Sequence, residues 1–424
     1  MYSIKKLVFH MPTELNVFLF DKKVGKLRMP DAKRPLKIFF SYDSNYNGPS
    51  LSLSLPPLRK EFDEDISYAF FENLLPERGL LSEITKQCRI SSHDLMGYLE
   101  LFGRETAGAI VVTDSKNIPI NDGEYRDVTH IIENYSVRNT VPLVISTKAR
   151  LTLAGAQDKL AVSIKNGRVL VPQGYSPTTH ILKPDSLHFP NIVYNEAFCL
   201  DVAERLGIAT VEHAILFFNE KPYLALKRYD RVIENGYIRR LHQEDFCQAM
   251  GIFGSAKYQR SGIYAGIYDI ADTARHAGIN VEKRLIDYIL FNIIIGNNDA
   301  HAKNFSLLYD SNGTTSLAPL YDTICTEVYP ELDNEMAMSI GRHFYRNELL
   351  LSDIKLLAED IGISCEYTYD RIVILSQNFL QACTEAIKEY PPDTAEYILS
   401  PILNIAKTHI SQIINLVDSF RNDD

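Results

Sequence analysis

Residues 296–307 read GNNDAHAKNFSL and set Asp299, His301, Lys303 and Asn304 close together. The stretch just before them, Tyr288–Ile295 (YILFNIII), is among the most apolar in the chain. A helix of that composition is expected to be buried all round. A solvated turn needs no buried helix to deliver it, whereas a site holding charge in fixed geometry does. Transfer of a phosphoryl group needs a carboxylate beside the attacking hydroxyl and oxygen ligands for magnesium. Asp299 and Asn304, five positions apart, supply one of each from a single loop. A cluster of capping residues after a helix would explain the same four residues.

Other stretches agree with the phosphoryl-transfer reading. The Asp-to-Asn spacing is that of the protein-kinase catalytic loop, and His301 two positions after the Asp is the arrangement of lipid kinases and aminoglycoside-type phosphotransferases. Asp322 in LAPLYDTI follows a short apolar hairpin after Asn304. A carboxylate and an amide oxygen suffice for magnesium, which keeps several waters and phosphate oxygens. In LAGAQDK, residues 153–159, Gly155 between two alanines lets backbone N–H groups approach a phosphate. That stretch matches neither G-x-G-x-x-G nor the Walker pattern, and a tight hairpin turn explains it equally. Lys183 ends a predicted strand and can act as a point charge on phosphates. Glu196, opening the next predicted helix, could orient it or serve as a first-turn carboxylate. HQEDF, residues 242–246, falls where a nucleotide hinge would lie, with Glu244, Asp245 and Phe246 as candidates; an N-cap is the competing explanation.

These residues need elements to position them. ELNVFLFDKKVGKLRM reads as two strands around an Asp21-Lys22-Lys23 turn, and PLKIFFSYD as a third strand. DISYAFFENLLPERG reads as a helix with Ile66, Phe70 and Leu74 on one face, stopped by Pro76 and Gly79. SSHDLMGYLELFG reads as a short helix with an N-cap serine and a final glycine. GAIVVTD closes the region, and residues 113–145 hold few periodic signals. From residue 150 the pattern is strand, turn, strand, turn, strand, then a strand ending at Pro184, a helix near 195–206, and a hairpin through 219–222. Beyond LHQEDF the chain is expected to be mostly helical, with helices near 265–277, 282–295, 351–361, 369–389 and 401–420. The expected organisation is 1–112, a connecting segment 113–145, a nucleotide-covering lobe 146–246, and a helical lobe 247–424 carrying the catalytic loop. The expected fold class is α+β: a two-lobed protein-kinase-like fold with an N-terminal α/β subdomain and a mostly helical C-terminal lobe.

The whole chain of 424 residues is 46% hydrophobic and 23% charged, as an ordinary globular protein is. Its net charge of −10, from 44 Lys+Arg against 54 Asp+Glu, repels phosphate backbones at long range. No apolar run approaches the roughly 20 residues that span a bilayer, and the N-terminus lacks a small-residue cleavage site. A cytoplasmic protein with no membrane partner is expected. Six scattered cysteines form no CxxC pair, so neither a metal cluster nor a disulfide framework is expected.

In order, LAGAQDKLAV, PTTHILKPD, NEAFCLDVAERLG, LHQEDFCQAMG and NNDAHAKNFSLL…LAPLYDTI resemble the HipA family of bacterial serine/threonine kinases, the toxin halves of type II toxin–antitoxin pairs. FSYD, LSLSLPP, FFENLLPERG and GAIVV resemble that family's N-terminal subdomain, so the likeness spans nearly the full chain. The resemblance implies ATP and magnesium. It implies Asp299 as catalytic base, and Asn304 and Asp322 as metal ligands. Ala154, Gly155, Ala156, Gln157, Asp158 and Lys159 would form the phosphate loop, with Lys183 a phosphate contact. Glu244, Asp245 and Phe246 would be the nucleotide hinge, and His301, Lys303, Asn304, Tyr321 and Asp322 further nucleotide contacts. It implies a protein substrate such as glutamyl-tRNA synthetase or another aminoacyl-tRNA synthetase, and a helix-turn-helix antitoxin, HipB, that carries the DNA contact. Two departures stand out: Ala300 where glycine is common, and Thr152 where a self-phosphorylated serine is known, with Ser146 or Thr147 as other acceptors. A small-molecule phosphotransferase of aminoglycoside or choline-kinase type shares the D-x-H-x-x-N pattern but leaves the N-terminal region unexplained. An idle antitoxin-binding scaffold would not need Asp299, Asn304 and Asp322 together.

Overall fold

The computed structural model describes residues 12–31, 33–75, 91, 94–118, 124–135, 158–259, 265–310 and 314–421. The expected phosphate-loop residues Ala154, Gly155, Ala156 and Gln157 lie outside them, as do Ser146, Thr147, Thr152, Pro76 and Gly79. The fold is α+β, as expected, in two compact units that the chain enters more than once. One comprises Met1–Lys183, Asp230–Glu244 and Gln248–Gly254; the other Pro184–Tyr229, Asp245–Cys247 and Ser255–Asp424. Residues 146–246, expected as one lobe, therefore fall on both sides of the division. Among the described residues no helix is long and apolar enough to cross a membrane.

The first unit opens with strands β1 (Glu14–Leu19), β2 (Lys22–Arg28) and β3 (Phe39–Tyr42). The first turn is Phe20–Asp21, both at positive φ, and not the expected Asp21-Lys22-Lys23. Two-residue hairpin turns take a left-handed conformation at both central positions because only that twist matches the strands. Lys22 and Lys23 consequently pair with Leu19 and Phe18 inside the ladder. Helix α1 (Glu64–Glu72) starts at Asp63, whose side chain accepts the Ile66 N–H. Its inner face stacks on the sheet: Phe71 lies 5.7 Å from Phe40 and 5.2 Å from Phe70, ring centre to ring centre, all three fully buried. Each such side chain contributes about 2–3 kcal/mol by leaving water. Helix α2 (Leu95–Phe102) is capped by Asp94, which accepts from Gly97 N at 2.8 Å, in place of the expected serine. Strand β4 (Ile110–Thr113) completes the order β3-β2-β1-β4.

Residues 113–145, expected as a connector, contribute β5 (Tyr125–Asp127) and helix α3 (Thr129–Asn134). Strand β5 pairs with β7 (Arg168–Pro172), which pairs with β6 (Leu160–Lys165), which pairs with β8 (His180–Pro184). Three residues were too few for periodicity to reveal β5.

In the second unit, helix α4 (Ile192–Arg205) leads to the hairpin β9 (His213–Phe218) and β10 (Lys221–Lys227). Its turn is Asn219–Glu220, and Pro222 pairs with Phe217 in the ladder. The chain returns to the first unit for β11 (Arg231–Glu234) and β12 (Tyr237–Arg240), a hairpin turned by Asn235-Gly236, and for β13 (His242–Asp245). That hairpin was missed although Asn-Gly is its usual signal. After the short helix α5 (Phe246–Met250) come α6 (Ile267–His276), α7 (Glu282–Ile295), the hairpin β14 (Ser306–Tyr309) and β15 (Thr315–Leu317), then α8 (Leu351–Ile361), α9 (Cys365–Ile387) and α10 (Ser400–Arg421). The helices lie where the apolar periodicity put them.

Helix α7 buries Tyr288 to Ile295 without interruption, and Phe291 meets Phe379 of α9 at 5.5 Å. It ends at Gly296, whose φ of 84° suits glycine. A Cβ there would lie 3.1 Å from Ile405 Cγ2 and 3.2 Å from Cys325 Sγ. Gly296→Ala is therefore expected to destabilise this unit by about 1–3 kcal/mol, seen as a lower thermal unfolding midpoint.

Candidate active site

Where α7 stops, its polar continuation is tied down residue by residue. Asn297 Nδ2 donates to Asn292 Oδ1 (2.8 Å), and Asn297 Oδ1 accepts the Asp299 N–H (3.0 Å). Thr326 Oγ1 accepts the Asn298 N–H (2.8 Å) and donates to the Gly296 carbonyl (3.0 Å). Asn304 Nδ2 donates to the Asp299 carbonyl at 2.9 Å, closing the loop through the turn Ala302–Asn304. Asp299 and Asn304 are thus two ends of one loop closed by a side-chain-to-backbone hydrogen bond.

Behind the loop lies buried charge that the sequence did not announce. Arg346 Nη1 donates to Asn298 Oδ1 and to Glu327 Oε1, and its Nε donates to the Ile293 carbonyl at 2.8 Å. His409 of α10 meets Glu327 Oε2 at 3.1 Å and the Ile294 carbonyl at 3.1 Å. Burial alone would raise the Glu327 carboxyl, but the His409 hydrogen bond and the Arg346 charge outweigh it and hold it below its ordinary 4.5.

Eight of the expected site residues lie in the second unit: Asp245, Phe246, Asp299, His301, Lys303, Asn304, Tyr321 and Asp322. The Asp299 side chain is 48% exposed, and that of His301 only 6%, with Nε2 at 4.0 Å from Asp299 Oδ1. Burial, reinforced by the charge of Lys257, pushes the His301 imidazole well below its ordinary range. The ring is neutral at pH 7, and its buried Nδ1 has no hydrogen-bond partner among the described residues. Lys303 and Asp245, expected as separate nucleotide contacts, form a buried ion pair at 2.7 Å. A charge pair out of water is held only when both partners stay, so these two act together. Tyr321 donates to the Lys303 carbonyl (2.8 Å), shares a 2.6 Å hydrogen bond with Ser306, and stacks on Tyr229; burial keeps its phenol protonated. Phe246 is fully buried, its N–H donating to the Phe305 carbonyl at 3.1 Å.

Asp322 has φ 54°, a left-handed conformation that aspartate tolerates at some cost. The residues after it are pinned: Thr323 Oγ1 donates to Asn292 Oδ1, and Cys325 exchanges two hydrogen bonds with Asn195 of α4. The Asp322 carboxylate and the Asn304 amide oxygen are hard donors of the kind magnesium takes. Asn304 uses its amide nitrogen on the loop, which leaves its oxygen for such a role. The residues present fit the metal.

Four expected residues belong to the other unit. Lys183, 2% exposed, ends β8 as expected. Asp158 Oδ2 accepts from Tyr135 Oη at 2.6 Å, and Lys159 is half-buried. The fully buried Glu244 carboxylate accepts from Ser52 Oγ and Leu53 N–H. Its side chain fastens the LSLSL turn. Sequence reading also missed Tyr258, whose hydroxyl donates to Asp299 Oδ1 at 2.6 Å. KYQ, residues 257–259, carries no periodic or spacing signal that would have found it.

Two family models match the chain: the HipA N-terminal domain over residues 15–113 and the HipA-like C-terminal domain over residues 151–390. Y4mE of Sinorhizobium fredii, named as a kinase, is 31% identical over 406 residues, covering 92% of this chain and 95% of its own. The serine/threonine-protein kinase toxin HipA of Shewanella oneidensis is 25% identical over 405 residues, covering 91% and 92%. The solved complex of Shewanella oneidensis MR-1 HipA with HipB and operator DNA has the same fold, with a TM-score of 0.83 at 23% identity, covering 96% of this chain and 99% of that one.

Glu327→Gln is expected to cost about 3–5 kcal/mol at pH 7, because it leaves Arg346 buried beside a neutral group. A carboxyl whose folded pKa is depressed contributes its stability above its unfolded value, here 4.5, and loses it as pH falls through the lower folded value. Urea titrations should therefore show the gap between wild type and Glu327→Gln narrowing as pH drops below 4.5.

Proposed function

Because this chain belongs to the HipA family and is a kinase, we propose that it transfers the γ-phosphoryl group of ATP to a serine or threonine hydroxyl of a protein. The observation that carries this is the half-exposed Asp299 carboxylate held on a rigid loop beside Asn304, with buried His301 kept neutral next to it. The substrate hydroxyl gives its proton to Asp299 as the new O–P bond forms. The bond from the γ-phosphorus to its bridging oxygen breaks, and ADP leaves with the electron pair. Asn304 and Asp322 would hold magnesium, which when bound neutralises charge on the phosphate oxygens. Lys183 and residues 154–159 would contact the phosphates, and Asp245 with Phe246 the nucleoside. The Lys303–Asp245 pair and Tyr321 keep the floor of the loop in place.

The same reading extends to partners. The Shewanella oneidensis HipA structure contains HipB and operator DNA, which supports a HipB-like helix-turn-helix antitoxin for this chain and DNA reached only through it. The net charge of −10 favours that indirect route. The proposed substrate is an aminoacyl-tRNA synthetase, glutamyl-tRNA synthetase first, so that phosphorylation halts translation. Thr152 is the proposed site of self-phosphorylation.

Incubation with labelled ATP, magnesium and purified glutamyl-tRNA synthetase tests this directly. Asp299→Asn is expected to lower transfer by roughly 10²–10⁴-fold while ATP still binds, since the carboxylate meets the hydroxyl and not the nucleotide. Turnover within a few-fold of wild type would remove Asp299 from its role. Asp322→Ala is expected to abolish the magnesium dependence of ATP binding in calorimetry; unchanged affinity would refute the metal assignment.

A further inference from the structure

The loop fixes the backbone of Asp299, and its carboxylate needs an orienting contact of its own to act as a base. Its side chain is half-exposed, and its hydrogen bonds with Asn297 and Asn304 are made by its N–H and its carbonyl, not by its carboxylate. A carboxylate on a solvated side chain samples several rotamers, and small misplacements of a reacting group cost large factors in rate. Tyr258 supplies such a restraint. The Tyr258 hydroxyl donates to Asp299 Oδ1 at 2.6 Å, from a segment 41 positions earlier in the chain.

Tyr258 is itself held from several directions. The His301 ring meets its ring edge-on, 5.1 Å between centres at 85°. Lys257 Nζ sits 5.0 Å from its ring centre. The Lys257 carbonyl accepts the Ala302 N–H (3.3 Å), which ties the segment to the catalytic loop. Gln259 N–H donates to the Ala337 carbonyl (3.1 Å), while Ala337 N–H donates to the Asn298 carbonyl (2.9 Å). Gln259 Oε1 accepts the Ser339 N–H at 2.7 Å. The segment and the loop are thus joined on both sides of the tyrosine, and the hydroxyl cannot move independently of Asp299.

We propose that Tyr258 is a positioning residue for the phosphoryl-transfer step: its hydroxyl holds Oδ1 of Asp299 and so fixes the orientation of the carboxylate toward the incoming hydroxyl. The proposal rests on Asp299 being the base. In this role Tyr258 acts through Asp299 and loses no proton in the reaction. The edge-on His301 ring supports it as packing, which gives that buried imidazole a second purpose besides contact with nucleotide.

The test removes the hydroxyl and nothing else. Magnesium-ATP turnover is followed as phosphate release, water standing in for the acceptor hydroxyl, in wild type, Tyr258→Phe, Asp299→Asn and the double variant. Loss of a hydrogen bond to a charged group predicts a kcat lowered about tenfold in Tyr258→Phe, with KM for ATP and the unfolding midpoint unchanged. In the Asp299→Asn background the same change is expected to have no further effect, because residues that act as a unit are not additive. An unaltered kcat in Tyr258→Phe, a rise in KM instead, or a fall of equal size in both backgrounds would overturn the proposal. A drop that tracks a lowered unfolding midpoint would reassign Tyr258 to stability. Wild-type turnover in Asp299→Asn would overturn the base assignment itself, whatever Tyr258→Phe does.

Discussion

The last turn of α7 ends in carbonyls that no helical N–H can reach, and it ends inside the protein. Arg346 and His409 supply the donors, to Ile293 and Ile294 respectively. Both are cation-forming side chains at the negative end of a helix, where the backbone dipole favours them. Burying a guanidinium is costly unless it is paired and hydrogen-bonded, and Glu327 pairs it while also meeting His409. The fourth partner of this network is Asn298, the residue before Asp299. A requirement of helix termination is in this way converted into a fixed loop carrying Asp299.

Charge around that loop is sorted by burial. Lys303 and Asp245 neutralise each other out of water, His301 is kept neutral, and Tyr321 stays protonated. Asp299 remains half-exposed and Asp322 partly exposed. An entering polyanion would meet a site whose buried members are already balanced. Asp322 additionally sits in a backbone conformation that few residues tolerate, and strain of that kind persists only where the surroundings over-determine it. The reciprocal Asn195–Cys325 hydrogen bonds are those surroundings.

Local patterns were legible where local physics decides. The apolar periodicity of residues 282–295 and 351–361 gave those helices their observed limits, because burial of one face or all faces leaves its mark in composition. Hairpin turns were less well read. Two were expected within a residue or two of their places at Phe20–Asp21 and Asn219–Glu220, and the one at Asn235-Gly236 was not expected at all, since the strand register depends on partners as well as on the turn. Strand β5 escaped notice because three residues carry no period, and it exists only by pairing with β7.

The sequence by itself determined which residues share the loop: Asp299, His301, Lys303 and Asn304 are neighbours in any fold that keeps the helix before them. Their spacing, and the hairpin leading to Asp322, were enough to read phosphoryl transfer. Only the tertiary structure decided how each polar group is used. Glu244 fastens Ser52 and Leu53, Lys303 is balanced by Asp245, and Tyr258 takes one oxygen of Asp299. Those pairings join positions far apart in the chain, and a hydrogen bond or ion pair over such a separation leaves no spacing to be read. It comes into being only when packing brings the two groups within about 3 Å.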